Sequence, residues 1–168
     1  CNLCFKCVDA CPAKALNKVG EYMTVEEVMA EIERDELFYQ RSGGGVTISG
    51  GEPLFQWQFV SRLLAACKQR HLHIALDTCG YAPWPILKKV LEYVDLVLYD
   101  IKHIAPKLHK KATGKSNRLI LNNLRLMHPP TKVWLRMPLI PGFNDSEDNL
   151  AEISRLGREI GAEKLSIL

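Results

Sequence analysis

The sequence lacks long apolar runs, a marked excess of one charge, and paired cysteines spread along the chain. No apolar stretch approaches the roughly 18 residues that a membrane-spanning helix needs, and no charged segment followed by an apolar one marks a secretory signal. The net charge of +3 over 168 residues gives no argument for nucleic acid as a partner. With 47% hydrophobic and 24% charged residues the composition is that of a globular domain, which excludes disordered and collagen-like classes. We expect a cytoplasmic protein with neither a membrane nor a nucleic acid as partner.

Four of the six cysteines crowd into the first eleven residues, as Cys1, Cys4, Cys7 and Cys11. Disulfides between thiols this close in sequence would close small, strained loops. The spacing Cys-x2-Cys-x2-Cys-x3-Cys-Pro is typical of bacterial ferredoxins, where three thiolates hold one [4Fe-4S] cluster and the fourth ligates a neighbouring cluster. Zinc is the alternative, but zinc ligands usually come as two separated pairs. We therefore expect these four cysteines to bind iron–sulfur clusters, with Cys11 needing partners that this chain does not contain.

Beyond the cysteines, short aliphatic runs alternate with amphipathic helical patterns, which is typical of parallel βαβ units. Thr24 and Glu27 are spaced as a capping box, which predicts a helix from residue 24 to about residue 35. The predicted strands are 45–49, 73–77, 94–101, 132–137 and 165–168, and the predicted helices between them are 55–69, 84–93, 117–127 and 146–160. Because five strands do not close a barrel of eight, we expect an α/β fold with a partial (β/α) barrel over residues 19–168. Residues 1–18 are expected to be part of a ferredoxin-like insert.

Glycine or charged residues lie at or just after the carboxyl end of each of the first four predicted strands, where a parallel α/β fold binds ligands. These positions are, in chain order, Gly50, Gly51 and Glu52, then Asp77 and Thr78, then Asp100, Ile101 and Lys102, and finally Arg136. Some have simpler explanations, since a Gly-Gly pair also forms tight turns and Asp77-Thr78 can cap a helix. Arg136 is harder to explain this way, because a buried guanidinium without an anion is costly. Together the positions predict a pocket for a zwitterion, such as an amino acid moiety.

The remaining chemistry-bearing residues point to structure rather than to a second site. Cys67 lies on the apolar stripe of a predicted helix and Cys79 has no base beside it, so both are expected to be structural. The five histidines show no metal-ligand spacing. Residues 101–144 hold nine Lys or Arg and no Asp or Glu, which fits either a docking face for an acidic partner or a row of solvated helix faces.

Three segments, taken in order, resemble the glycyl radical enzyme activating enzymes, which are radical S-adenosylmethionine proteins. They are Tyr-Gln-Arg-Ser-Gly-Gly-Gly-Val-Thr-Ile-Ser-Gly-Gly-Glu-Pro at 39–53, Leu-Val-Leu-Tyr-Asp-Ile-Lys-His at 96–103 and Pro-Leu-Ile-Pro-Gly-Phe-Asn at 138–144. The likeness runs through the whole chain, and the chain is similar to the subgroup that carries a ferredoxin-type insert. It implies that a [4Fe-4S] cluster reduces S-adenosylmethionine and that the 5′-deoxyadenosyl radical removes a hydrogen atom from a glycine of a partner enzyme. It also implies an electron donor such as flavodoxin or ferredoxin.

The resemblance also implies roles for individual residues. Gly50, Gly51 and Glu52 would line the methionine end of S-adenosylmethionine, and the segment Asp100 to Lys102 would contact the same ligand, with Lys102 near its carboxylate. Asp77, Thr78 and Asp100 match positions that hold a monovalent cation in relatives. Arg136 would add a polar wall.

One departure from the family limits what this chain can do alone. The family's Cys-x3-Cys-x2-Cys loop does not occur in this sequence, so we expect the 168 residues to be an inactive piece of a longer activating enzyme. Two alternatives stay open: another radical S-adenosylmethionine enzyme with auxiliary clusters, or a ferredoxin-like electron-transfer module. Which glycyl radical enzyme is served, and the oligomeric state, cannot be inferred from the sequence.

Overall fold

The computed structural model describes residues 4–127 and 131–168, and in these residues five strands form one parallel sheet. The helices are α1 (Lys6–Asp9), α2 (Val25–Glu33), α3 (Glu36–Ser42), α4 (Trp57–Gln69), α5 (Trp84–Leu91), α6 (Pro106–Thr113), α7 (Arg118–Leu126) and α8 (Glu147–Glu159). The strands are β1 (Gly45–Ile48), β2 (His73–Thr78), β3 (Leu96–Asp100), β4 (Lys132–Met137) and β5 (Lys164–Ile167). A 3-10 turn, Pro53–Gln56, precedes α4.

The strands lie side by side in chain order, and each neighbouring pair is parallel. Because crossovers between parallel strands are right-handed, this order places the connecting helices on one face of the sheet. The residues of that face are buried, among them Ile74, Leu76, Val97, Tyr99 and Leu135. The other face is more polar and more exposed. This is the arrangement of a partial (β/α) barrel, and the predicted fold class is confirmed.

The connecting helices hold the core together through one apolar stripe each. Leu64 of α4, Leu87 of α5, Leu124 of α7 and Ile153 of α8 are almost completely buried. Removing such a side chain from water contributes about 1.5–3 kcal/mol. The capping box predicted at the start of α2 is present, since Thr24 Oγ1 accepts from the Glu27 N–H and Glu27 accepts from the Thr24 N–H.

The structure differs from the predicted elements in two helices that were not predicted and in two boundaries. Helix α6 was not predicted, although Pro106 at its first turn and Gly114 just after its last residue are ordinary start and stop signals. Helix α3 was not predicted either. The stretch predicted as one helix from residue 55 begins instead with the 3-10 turn. Strand β3 begins at Leu96 rather than at residue 94, because the Asp95 carboxylate already accepts the Ile74 N–H there.

The helices of the described residues are all too short or too polar to cross a lipid bilayer. Between α1 and α2 the chain is irregular and largely exposed. The division into residues 1–18 and 19–168 stays a prediction.

Candidate functional site

The nine residues predicted to bind a cofactor all lie at or just after the carboxyl ends of four adjacent strands. Gly50, Gly51 and Glu52 follow β1, Asp77 and Thr78 end β2, Asp100 ends β3 with Ile101 and Lys102 after it, and Arg136 lies near the end of β4. The structure therefore brings them to one edge of the sheet. Within that edge most of the polar side chains form two hydrogen-bonded clusters, and Lys102 lies between them, since it also lines a cavity of about 270 Å³ with Glu52 and Cys79.

The first cluster forms around the carboxylate of Glu52 and joins the loop after β1 to the end of β2. The Thr78 hydroxyl donates to Glu52 Oε1 at 2.6 Å, and the Cys79 N–H and thiol each donate to Oε2 at 3.0 Å. The Leu54 N–H adds a fourth donor at 3.2 Å. Thr78 is only 2% exposed, so its hydroxyl faces the helix side of the sheet rather than the barrel interior.

The second cluster is a network of charges on the interior face. Arg136 donates from Nε and Nη2 to Asp100 Oδ1 at 3.0 and 2.9 Å, and Nη2 also donates to Asp77. Lys102 Nζ lies 3.6 Å from Asp100 Oδ2. The side chains of Arg136, Asp77 and Asp100 are each about a quarter exposed. Two cations therefore balance two carboxylates in a half-buried, polar part of the interior face, where unpaired charges would be costly.

Alternation along β2 explains why the clusters separate. Successive side chains of a strand point to opposite faces, so Asp77 joins the interior network while Thr78 joins Glu52. Ile101 has a different place from the others. Its side chain is 2% exposed and belongs to the core, and its N–H donates to the carbonyl of Arg136 at 2.9 Å. Only its main chain can reach a ligand.

The bare glycine backbone lies on the wall of a cavity of about 560 Å³ beside β1. Gly50, Gly51 and Glu52 line this cavity together with Thr47 and Ser49. Gly50 has φ of +129°, in a region that favours glycine, and a Cβ at either glycine would meet open space. The main chain of both glycines is thus open to the cavity, whose other walls include the apolar side chains of Met23, Val28 and Phe59.

Buried asparagines fix the loops that carry these residues, and the sequence analysis did not single them out. Asn117 donates to the carbonyls of His103 and Ile104, and Asn144 donates to that of Lys102. The Asn149 side chain accepts from the Ile104 N–H. For Asn149, an amide on the buried stripe of α8 was the available signal, because such a group needs a partner.

Asn123 and Tyr99 fix the loop after β2 in the same manner. Asn123 donates to the carbonyls of Gly80 and Ala82, each at 2.8 Å. Gly80 has φ of +68°, and a Cβ there would overlap the Tyr99 side chain. The Tyr99 hydroxyl donates to the Ile120 carbonyl, and burial raises the pKa of Tyr99, so that it stays a donor.

The cysteine segment folds around the single turn of α1, although Cys1 lies outside the described residues. Cys4 and Cys7 are exposed and Cys11 is half-buried. Backbone N–H groups, first that of Leu16 and then that of Ala15, lower the pKa of the Cys11 thiol, which favours its thiolate form. Over residues 4–127 and 131–168, no three His, Cys, Asp or Glu side chains are close enough together to hold a metal ion. The donor chemistry fits an iron–sulfur cluster, whereas the thiols are not gathered around one point.

Comparison with known proteins identifies the family to which this chain belongs. The model of the radical SAM superfamily matches residues 9–153. The chain belongs to the radical SAM superfamily. The isethionate sulfite-lyase activating enzyme of Oleidesulfovibrio alaskensis is 48% identical over 160 residues, covering 94% of this chain and 52% of that protein. The choline trimethylamine-lyase activating enzyme of the same organism is 49% identical over 140 residues, covering 83% and 45%.

A solved structure of a radical SAM relative agrees with the fold. A domain of the pyruvate-formate lyase-activating enzyme from Bacteroides vulgatus superposes with a TM-score of 0.67 at 31% identity, covering 73% of this chain and 78% of that one. The radical SAM chain described here spans about half the length of the curated relatives it matches. Those relatives are named as activating enzymes of lyases, and the resemblance drawn from the three segments is confirmed.

Proposed function

We propose that this chain is part of a glycyl radical enzyme activating enzyme, which reductively cleaves S-adenosylmethionine and removes a hydrogen atom from a glycine of a partner enzyme. The observation that carries the proposal is the shared strand edge, which has bare glycine backbone after β1 and a balanced charge network at the ends of β2, β3 and β4. Its support from relatives is the similarity to activating enzymes over 94% of the chain. A [4Fe-4S] cluster would supply the electron that breaks the sulfonium bond.

The residues of this chain would bind, orient and shield the ligand. Main-chain groups of Gly50 and Gly51 would contact its amino acid end, and the ammonium of Lys102, whose side chain is 37% exposed, would pair with its carboxylate. Arg136 would keep Asp77 and Asp100 in place between the strands. Bringing the reacting groups into one geometry accounts for much of the acceleration in such a reaction.

The predicted monovalent cation would have to compete with Arg136. Asp77 and Asp100 both accept from its guanidinium, which already occupies the position between the two carboxylates. The Thr78 hydroxyl is committed to Glu52, so Thr78 would offer a cation only its carbonyl. We therefore propose cation binding only together with a shift of Arg136 away from one carboxylate.

Two further parts of the proposal concern the clusters and their electron supply. Cys1, Cys4, Cys7 and Cys11 would hold iron–sulfur clusters that relay or tune electrons in the reducing cytoplasm. The donor would be an acidic flavodoxin or ferredoxin. Helix α6 supports this choice, since Lys107, Lys110 and Lys111 are exposed on it and exposed Lys115 follows. Reduction by such a donor should slow as ionic strength rises, because exposed charges are screened.

The partner's identity is not proposed beyond its class. Relatives named for isethionate sulfite-lyase and for choline trimethylamine-lyase are equally similar to this chain, at 48% and 49% identity. We propose a protein partner that presents a glycine, and neither a nucleic acid nor a membrane.

Turnover of the complete protein tests the proposal. The protein is reconstituted anaerobically with iron and sulfide, reduced with dithionite and given S-adenosylmethionine, and 5′-deoxyadenosine is measured by chromatography. We expect 5′-deoxyadenosine from the complete protein and none from the 168 residues alone. Addition of a glycyl radical enzyme partner should then give a glycyl radical signal in electron paramagnetic resonance. Cleavage without that signal would favour another radical SAM activity, and a reducible cluster without cleavage would favour an electron-transfer module.

A further inference from the structure

The carboxylate of Glu52 has four hydrogen-bond donors, and all four belong to this chain. Leu54 N–H lies in the same loop, whereas the Thr78 hydroxyl, the Cys79 N–H and the Cys79 thiol come from the end of β2. The bonds therefore link residues 26 and 27 positions apart in the sequence. The Glu52 side chain therefore joins the loop after β1 to the end of β2, although the two are far apart in the sequence.

This set of donors leaves little of the carboxylate for a ligand. An ionised carboxylate offers about four lone-pair sites, and here four donors approach it. The Thr78 hydroxyl accepts from the Gly80 N–H at 2.9 Å, so its own proton is free to point at Glu52. A ligand ammonium would have to displace one of these donors, and the displaced group, Thr78 in particular, is too buried to be resolvated.

The main chain of the two glycines beside Glu52 has to be held in place by other residues. Gly50 has a positive φ, and no atom lies within 4 Å of the point where a Cβ of Gly50 or Gly51 would stand. With no side chains of their own to pack, their main chain depends on what anchors the next residue. Glu52 is that residue, and its anchor is the end of β2.

We propose that Glu52 is a positioning residue: its carboxylate clamps the loop after β1 to the end of β2 and thereby fixes the main chain of Gly50 and Gly51 on the cavity wall. This assigns the Glu52 carboxylate a structural link within the chain in addition to its place on the cavity wall. The Cys79 thiol is the fourth part of the clamp. The expected effect of Glu52 on the cleavage of S-adenosylmethionine rests on the proposed function, whereas the hydrogen bonds of the clamp do not.

Amide hydrogen exchange of the complete protein without S-adenosylmethionine tests the clamp directly. In Glu52→Gln the side-chain amide can no longer accept on both atoms, so we expect exchange at the Leu54 and Cys79 amides to rise at least tenfold. Glu159→Gln is the matched control. It makes the same change in an exposed carboxylate that pairs with Arg125 at the end of α8, and it should leave both amides unchanged.

Cys79→Ala and Cys79→Ser provide a second pair if Glu52→Gln does not fold. Cys79→Ala removes the thiol donor and leaves the Glu52 carboxylate, so amide hydrogen exchange at Leu54 should rise by a smaller factor, about two- to fivefold. The serine retains a donor at the same atom position and should restore exchange at Leu54 to nearly the wild-type rate. Equal exchange in the alanine and serine variants would contradict a role for the thiol.

Kinetics then separate positioning from direct contact. A clamp predicts that Glu52→Gln raises KM for S-adenosylmethionine and that the ligand-free exchange rates rise with it. The proposal is overturned if affinity for S-adenosylmethionine falls while exchange at Leu54 and Cys79 in the ligand-free protein stays at the wild-type rate, because that result describes a ligand contact. If the wild-type protein cleaves no S-adenosylmethionine, the proposed function fails, and the exchange data still decide whether the clamp exists.

Discussion

Asp100 and Arg136 occupy paired register positions in β3 and β4, and two N–H groups of the guanidinium converge on one carboxylate oxygen of Asp100. The same guanidinium reaches Asp77 on β2. One side chain therefore ties three adjacent strands together at the edge where the ligand site is proposed. The planar fork of arginine is what makes this possible, since a lysine ammonium cannot present several N–H groups in fixed directions.

Arg136→Lys should keep the charge and lose the three-strand link. We expect a loss of about 1.5–3 kcal/mol in the free energy of unfolding, the range for hydrogen bonds to charged groups, and weaker binding of S-adenosylmethionine. Urea denaturation and equilibrium binding measure the two effects. Arg125→Lys is the control, because Arg125 pairs with Glu159 where both side chains are about half exposed. Equal stability of the two variants would refute the special role of Arg136.

Gly80→Ala should destabilise the protein more than Gly114→Ala. Both glycines have positive φ, +68° and +80°, so each alanine has a similar backbone strain of about 1–2 kcal/mol. Only at Gly80 would the new Cβ overlap Tyr99, whereas at Gly114 it meets open space. The difference between the two unfolding free energies isolates the packing effect. No difference would mean that the loop after β2 moves away from Tyr99 at little cost.

Acid should weaken the link between β2, β3 and α4 through Asp95. Asp95 pairs with Lys68 at 2.6 Å and accepts the Ile74 N–H at 2.8 Å. Partial burial raises the pKa of Asp95, but the hydrogen bonds from Lys68 and Ile74 outweigh it and the net pKa is lowered. A lowered folded-state pKa gives stability that is complete above the unfolded pKa of about 3.9 and is lost as the pH falls through the folded value. Asp95→Asn should flatten that part of the stability curve below pH 5, measured by urea denaturation against pH.

The Cys79 thiol should resist alkylation at neutral pH. Burial, followed by the hydrogen bond to Glu52 and the charge of Glu52, raises the pKa of Cys79 to about 11. The thiolate is the reactive form, so iodoacetamide should modify Cys79 far more slowly at pH 8 than it modifies an ordinary thiol with a pKa of about 8.5. Mass spectrometry of the alkylated peptides measures the rate. Rapid modification at pH 8 would show that the thiol is not held against Glu52.

Much of the fold follows from local patterns. Each of the five strands was predicted within two residues at either end, because aliphatic runs bounded by turn residues define strands without reference to the rest of the chain. Helix α6 was missed because Lys107, Lys110 and Lys111 make it strongly basic, which hides the apolar stripe on which helix prediction depends. Helix α3 is short, and its exposed Leu37 and Phe38 gave no clear amphipathic pattern.

The sequence by itself determined the strand ends and the chemical types present there, because the order of aliphatic runs and polar loops is a local property. Only the tertiary structure decided that Arg136 pairs with Asp77 across 59 positions of sequence and that Glu52 turns to Thr78 and Cys79. Strand register and the alternation of side chains along β2 set these pairings, and neither is fixed until the strands lie side by side. The strand edge therefore carries a charge network and a separate clamp at Glu52, where the sequence predicts a single pocket for a zwitterion.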